Sequence, residues 1–178
     1  DNNKHGTNLT FGDNGALILS EVGYTPEQGL FDLPGHYKLG GYYHTGDFRN
    51  VADDVDGGNP FVTGRPGDGF SGNSGVYLLL DQTVYREAGT RKEGLTLFSV
   101  FVYSPDDEHN VIPYYASAGM IYQGLIPSRP SDKTAFGVHN AWFSEALSDA
   151  RAEAGLERQD TETTLELNHQ VQITPAVY

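Results

Sequence analysis

Cysteine is absent from this chain of 178 residues. That absence excludes a disulfide framework, a thiolate zinc site, an iron-sulfur cluster and a cysteine nucleophile. Basic side chains are scarce too, 11 Lys and Arg against 24 Asp and Glu, for a formal charge of -13. Nucleic acid and anionic lipid surfaces both reward Lys and Arg, so the balance argues against either as a charge-driven partner. No stretch approaches the roughly 18 to 20 apolar residues that a membrane-crossing helix needs. The N-terminal Asp1-Asn2-Asn3-Lys4 does not read as a signal peptide. The mean hydropathy of -0.45 separates nothing further, because a membrane-crossing strand needs only about 9 to 11 residues and alternates polar with apolar.

Glycine and aromatics are plentiful: 22 Gly, 11 Tyr and 9 Phe, with one Met and one Trp. This mixture favours strands and loops, and the length suits one domain of ordinary size. Seven segments rich in aromatic and β-branched residues, bounded by Gly, Pro, Asp or Asn, predict strands at 15–24, 36–45, 75–85, 94–103, 113–123, 134–143 and 163–173. Ala176, Val177 and Tyr178 read as the start of an eighth.

The seventh segment alternates best. Leu165, Leu167, Val171 and Ile173 share one face, with His169 as the exception, against Thr164, Glu166, Asn168, Gln170 and Gln172. In the third, Val76, Leu78, Leu80 and Val84 oppose Tyr77, Leu79, Asp81, Thr83 and Tyr85; in the second, Tyr37, Leu39 and Tyr43 oppose Lys38, Tyr42 and His44. The first, fifth and sixth alternate poorly. Every second connection is short, and the long ones, 46–74, 104–112 and 144–162, fall on the opposite side and carry much of the acidic charge. Outer-membrane barrels have this asymmetry, and so does an ordinary antiparallel meander with unequal loops. Within the last connection, good helix formers run from Ser144 to Ala154 and stop at Gly155, which predicts a short surface helix.

Chemical motifs are weak. Gly67-Asp68-Gly69-Phe70-Ser71-Gly72 matches the dinucleotide spacing but follows Arg65-Pro66 and precedes a strand, the wrong context for a pyrophosphate at a helix N-terminus. Gly72-Asn73-Ser74-Gly75 lacks the surroundings of a serine nucleophile. Asp53, Asp54 and Asp56 before Gly57-Gly58 offer oxygens to calcium, yet the closing glutamate of the twelve-residue loop is missing. Histidines at 5, 36, 44, 109, 139 and 169 form no H-x-x-x-H or H-E-x-x-H pair. Glu21, Asp81 and Glu166 suit a glycosidase pair or an aqueous lumen equally well.

Residues 15–24 (GALILSEVGY), 33–48 (LPGHYKLGGYYHTGDF), 75–87 (GVYLLLDQTVYRE), 94–98 (GLTLF) and 163–178 (TTLELNHQVQITPAVY) resemble, in order, the carbohydrate-selective porins of Gram-negative outer membranes, the OprB family. The resemblance runs from about Gly12 onward. It implies a sixteen-stranded antiparallel transmembrane β-barrel that passes sugars or similar small polar solutes by diffusion, with no catalysis, metal or cofactor. Seven to eight strands cannot close such a barrel, so the chain is expected to be a fragment of a longer polypeptide, the C-terminal portion without the last strands. Expected partners are the solutes, outer-membrane lipid, the remainder of the barrel and, as one option, further copies in a homotrimer. Relatives often carry a basic residue where Val100 stands.

On this reading strand parity lines the pore with Glu21, Lys38, Tyr42, His44, Tyr77, Asp81, Tyr85, Glu166, Asn168, Gln170 and Gln172. Tyr24, Tyr37, Tyr85, Tyr103, Tyr114 and Trp142 supply interfacial girdles. The rival is a secreted β-sandwich that binds carbohydrate, with the apolar faces buried between two sheets. Whether Leu165 and Leu167 are covered distinguishes the two.

Overall fold

The computed structural model describes residues 15–90 and 92–174. Seven strands follow one another: β1 (Leu17–Tyr24), β2 (Gly35–Asp54), β3 (Gly67–Arg86), β4 (Gly94–Tyr103), β5 (Tyr114–Gln123), β6 (Lys133–Trp142) and β7 (Thr161–Gln170). They form a single antiparallel sheet in the order β1-β2-β3-β4-β5-β6-β7, each strand paired only with its sequence neighbours. No second sheet packs on either face among the described residues, which removes the sandwich. The expected eighth strand at Ala176 lies outside the described residues.

Burial is inverted relative to a soluble domain. Among the described residues the only buried hydrophobic side chain is Ala150, whereas the buried polar ones include Asp54, Gln82, Ser104, Ser117, Asp132, Ser144 and Ser148. Leu165 and Leu167, the diagnostic pair, are 69% and 76% exposed. Apolar side chains that leave the chain's own surface uncovered, in this number, mark a face built for an apolar partner or solvent.

Strands β4 to β7 are 10 residues each, but β2 and β3 are 20 each. The span 46–74, read from sequence as a loop, is therefore mostly a tall hairpin in which Phe48 pairs with Phe70 and Asp54 with Gly67. Its glycines and acids concealed the strand pattern, and the register shifts between His44 and Asp47 and again before Asp54 interrupted it further. The dinucleotide-like glycines lie inside β3, where Gly72 takes a left-handed φ of 87 at the register shift opposite His44 to Asp47. At the hairpin tip a four-residue helix, α1 (Pro60–Thr63), is capped by Asn59. The Asp54 carboxylate ties the tip together: Oδ1 accepts the N–H groups of Asp56 and Gly58, each at 2.9 Å, and Oδ2 accepts the Thr63 hydroxyl at 2.7 Å. The Thr63 hydroxyl above all, then the Gly58 and Asp56 N–H groups, hold its pKa below the ordinary value.

The predicted surface helix forms as α2 (Glu145–Glu153), with Ser144 accepting the Leu147 N–H and Gly155 at φ 74 beyond its end. The three long connections interlock. Asp107 accepts the Ala146 N–H at 2.8 Å at the start of α2, and Asn59 donates to Ala150 O at 2.6 Å near its end. Val51 N–H reaches Glu108 O at 2.8 Å.

Candidate functional site

The register sorts the side chains. Across the sheet, Glu21 stands opposite Gly40, Gly40 opposite Tyr77, and Tyr77 opposite Val102; Gly137 stands opposite Glu166 and Lys133 opposite Gln170. Following these pairs, Glu21, Lys38, Tyr42, His44, Tyr77, Asp81, Glu166, Asn168 and Gln170 all belong to one polar face. The other face carries Leu39, Leu78, Phe101, Val138, Leu165 and Leu167, with aromatics at both ends. Tyr24 and Tyr37 stack at 6.2 Å at one end, and Tyr103 and Tyr114 at 4.8 Å at the other, where Trp142 pairs with Tyr114.

Two of the sequence-derived positions fall elsewhere. A bulge between Thr83 and Tyr85 places Tyr85 opposite Leu95 instead of continuing the parity of Tyr77 and Asp81. Tyr85 thus turns to the apolar face, 6.4 Å from Tyr122, which fits its place among the girdle tyrosines and removes it from the pore-lining set. One extra residue reverses a strand's faces, and nothing in the local sequence marks it. Gln172 lies beyond the end of β7, where its backbone N–H donates to Asp132 Oδ1 at 2.9 Å.

On the polar face of β1 to β3, Lys38 Nζ meets Glu21 Oε1 at 2.9 Å, and the Tyr77 hydroxyl donates to Glu21 Oε2 at 2.8 Å. The Tyr77 ring lies where a side chain on Gly40 would stand, and the Tyr42 ring lies within 2.6 Å of where a Cβ on Gly75 would be. The Tyr42 hydroxyl is 2.7 Å from Ser104 Oγ. Glycine on the neighbouring strand leaves the space that each ring occupies over the backbone, and each hydroxyl is tethered at the far end. Leu17 and Leu19 share this face, so the polar surface is not uniform on β1.

A second polar group sits on β5 to β7. His139 Nδ1 is 2.9 Å from Ser117 Oγ and 3.1 Å from the Tyr115 hydroxyl. Its Nε2 faces Glu166 Oε2 at 3.3 Å without hydrogen-bond alignment, and Asn168 donates to Glu166 Oε1 at 3.0 Å. A serine, a histidine and a carboxylate in sequence suggest a hydrolase, but Ser117 is 4% exposed and cannot meet a substrate carbonyl. Between the two groups lies an apolar strip. Val100 sits there in register between Leu79 and Ser117, and the Phe98 ring lies 2.6 Å from where a Cβ on Gly119 would be.

Sequence reasoning missed Tyr115 and Ser117. Their strand has small residues on both faces, Ser117 and Gly119 on one and Ala116 and Ala118 on the other, so no hydrophobic alternation exists to read. The connection after β4 also leans over the polar face: besides Ser104 at Tyr42, Asn110 Oδ1 accepts from Asn73 at 2.9 Å and the His109 ring stacks on Phe70 at 3.5 Å.

A single-layer antiparallel meander with an uncovered apolar face, aromatic rims and a polar opposite face is the wall of a β-barrel porin. The model of the carbohydrate-selective porin, OprB family, matches residues 1–178, and the chain belongs to that family. It is similar to Porin B of Pseudomonas aeruginosa, 34% identical over 127 residues, 71% of this chain and 28% of that protein. It is also similar to the putative porin QuiX of Acinetobacter baylyi, 25% identical over 192 aligned positions, 98% of this chain and 41% of that one. Among solved structures, the high-pH structure of Pseudomonas putida OprB superposes with a TM-score of 0.81 at 29% identity, covering 97% of this chain and 44% of its own. The chain thus spans less than half the length of each of these relatives.

Proposed function

We propose that this chain forms part of the wall of an outer-membrane channel that admits carbohydrates and similar small polar solutes by passive diffusion, without a catalytic cycle. The observation that carries this reading is the division of one sheet into an uncovered apolar face with aromatic rims and a polar face bearing tethered aromatic rings. A strand of 10 residues spans about 33 Å, which at a tilt near 45° matches an apolar band about 25 Å tall. On the polar side, the Tyr42 and Tyr77 rings offer their faces to sugar rings. The Glu21–Lys38 pair and the His139–Glu166–Asn168 group exchange hydrogen bonds with hydroxyls as hydration is stripped. Such contacts are weak and multiple, as conduction requires.

Among the described residues the outer edges of β1 and β7 have no partner strand, and each backbone group left unpaired in lipid costs several kcal/mol. The remaining strands of a sixteen-stranded barrel, on a longer polypeptide of which this is a portion, supply those partners. The long connections face outward from the cell and the short ones face the periplasm. The test is reconstitution of the complete channel in liposomes and planar bilayers, with sugar-driven swelling and ion current as readouts. Swelling with sugars, dependence on detergent for solubility, and a parent polypeptide well above 19.4 kDa on a denaturing gel are the expected results. A monodisperse 19.4 kDa species in detergent-free buffer would sink the proposal; native mass on the same preparation decides between monomer and homotrimer.

A further inference from the structure

The connection between β1 and β2 holds an apolar tip that the channel reading does not use. Phe31 and Asp32 both adopt left-handed backbone conformations, φ 62 and φ 56, although neither is glycine. A residue with a Cβ is strained in this conformation, Phe31 more than Asp32, whose short polar side chain tolerates it. The conformation leaves Phe31 73% exposed and the adjacent Leu30 62% exposed. In water, a strained turn that displays a phenylalanine gains nothing from doing so.

The turn is pinned to the apolar face, not to the pore mouth. Gln82 stands opposite Leu97 and Gly35 on that face and is only 9% exposed. Its Nε2 reaches Leu30 O at 3.0 Å, with Leu33 O and Pro34 O at 3.4 Å and Thr83 O at 2.6 Å. Its Oε1 accepts the hydroxyl of Tyr37, a girdle tyrosine of the same face stacked on Tyr24. Gly29 N–H closes the loop onto Leu33 O at 2.9 Å, and Gly35 N–H onto Pro26 O at 3.1 Å. A buried amide with its donors and acceptor engaged holds the turn against the outside of the sheet, immediately past the tyrosine rim. At the same end, Leu125 and Ile126 in the β5–β6 connection are 53% and 45% exposed, and Ile173 after β7 is 71% exposed.

We infer that the Leu30-Phe31 tip is a membrane anchor, inserted among phospholipids at the headgroup and upper acyl level of the periplasmic leaflet, where it fixes the depth and tilt of this side of the barrel. The occupant follows from continuity: the tip extends the lipid-facing band beyond Tyr24 and Tyr37, and aromatic side chains are favoured at that level. The site rests on the proposed membrane orientation.

Phe31→Trp and, separately, Leu39→Trp on the apolar face are introduced into the complete channel reconstituted in phosphatidylcholine vesicles. Emission added over the parent is then quenched with brominated lipids of graded depth and with aqueous acrylamide. The inference expects Phe31→Trp to be blue-shifted and quenched most by shallow bromines, and Leu39→Trp by deeper ones. Quenching of Phe31→Trp by acrylamide alone, with Leu39→Trp still quenched by lipid, overturns the anchor and leaves the channel standing. Shielding of Phe31→Trp from both quenchers overturns it in favour of a protein covering the tip. Failure of lipid to quench either variant overturns the membrane orientation itself. Should Phe31→Trp not assemble, Leu30→Trp carries the same expectations at a position outside the left-handed pair.

Discussion

Removing the Tyr77 ring tests the sugar contact directly. That ring occupies the space over Gly40 and its hydroxyl is tied to Glu21 at 2.8 Å, so a solute can stack on at most one of its faces. Ring-on-ring contacts are worth about 0.5–1.5 kcal/mol beyond area burial. Taking that range for one sugar stacked on one face, and about 1.4 kcal/mol per decade, the loss is about two- to tenfold in affinity. Tyr77→Ala in the complete channel should therefore raise the dissociation constant for sugar, read from sugar-induced block of ion current in a planar bilayer, by that factor. Conductance without sugar should change little. Tyr77→Phe keeps the ring and removes only the bond to Glu21, whose other oxygen still meets Lys38 at 2.9 Å; its affinity should stay within about twofold of the parent. Gly40→Ala keeps the Tyr77 residue but puts a methyl where its ring lies and so displaces the ring; it should reproduce much of the Tyr77→Ala loss. Unchanged affinity in Tyr77→Ala would refute the stacking argument. An equal loss in Tyr77→Phe would shift the effect from the ring to the Glu21 hydrogen bond.

Leu167, 76% exposed on the apolar face, should tolerate no charge: Leu167→Lys is expected to cost about 2–4 kcal/mol at the bilayer centre, measured by urea-titrated folding into vesicles, while Asn168→Lys on the opposite face should leave stability nearly unchanged and shift ion selectivity toward anions. Asp132, 3% exposed, accepts Arg129 at 2.7 and 2.9 Å and the Gln172 N–H at 2.9 Å, and Arg129 above all holds its pKa below the ordinary 3.8. As pH falls the unfolded chain takes the proton first, so the stabilisation is complete above that ordinary value and is lost as pH drops through the lowered one. The melting gap between parent and Asp132→Asn should be wide at neutral pH and close in acid; a gap independent of pH would contradict this. Ser144→Ala removes a buried cap whose hydroxyl accepts the Leu147 N–H at 2.9 Å and donates to Asp107 O at 2.6 Å. Its expected cost of about 0.5–2 kcal/mol should appear as faster proteolysis within 143–160 with the sheet's melting unmoved.

Seven strands and a helix were legible in the sequence because each carries a local signal. The β7 alternation of Leu165 and Leu167 against Glu166 and Asn168 is a property of successive residues, and a period of two needs no partner to be read. The Ser144 cap and Gly155 stop of α2 are likewise local. Composition told equally well what the chain lacks, since missing thiols and missing apolar runs do not depend on folding.

Pairing decided the rest. The Tyr85 reversal comes from a bulge that exists only between β3 and β4, and the upper hairpin of β2 and β3 becomes strand because its two halves pair despite weak alternation. Ser117, Tyr115 and His139 converge from two strands with no hydrophobic pattern, so only register brings them to Glu166. Tyr77 on Gly40 and Gln82 beneath the 25–34 turn join residues some 40 to 50 positions apart in the chain. The sequence determined by itself that this protein is a run of amphipathic strands, because each strand's two faces are written in its own residues. Which side chains meet across those strands, and so which rings and carboxylates a passing solute would touch, was decided by tertiary structure, because register is a relation between segments that neither one encodes alone.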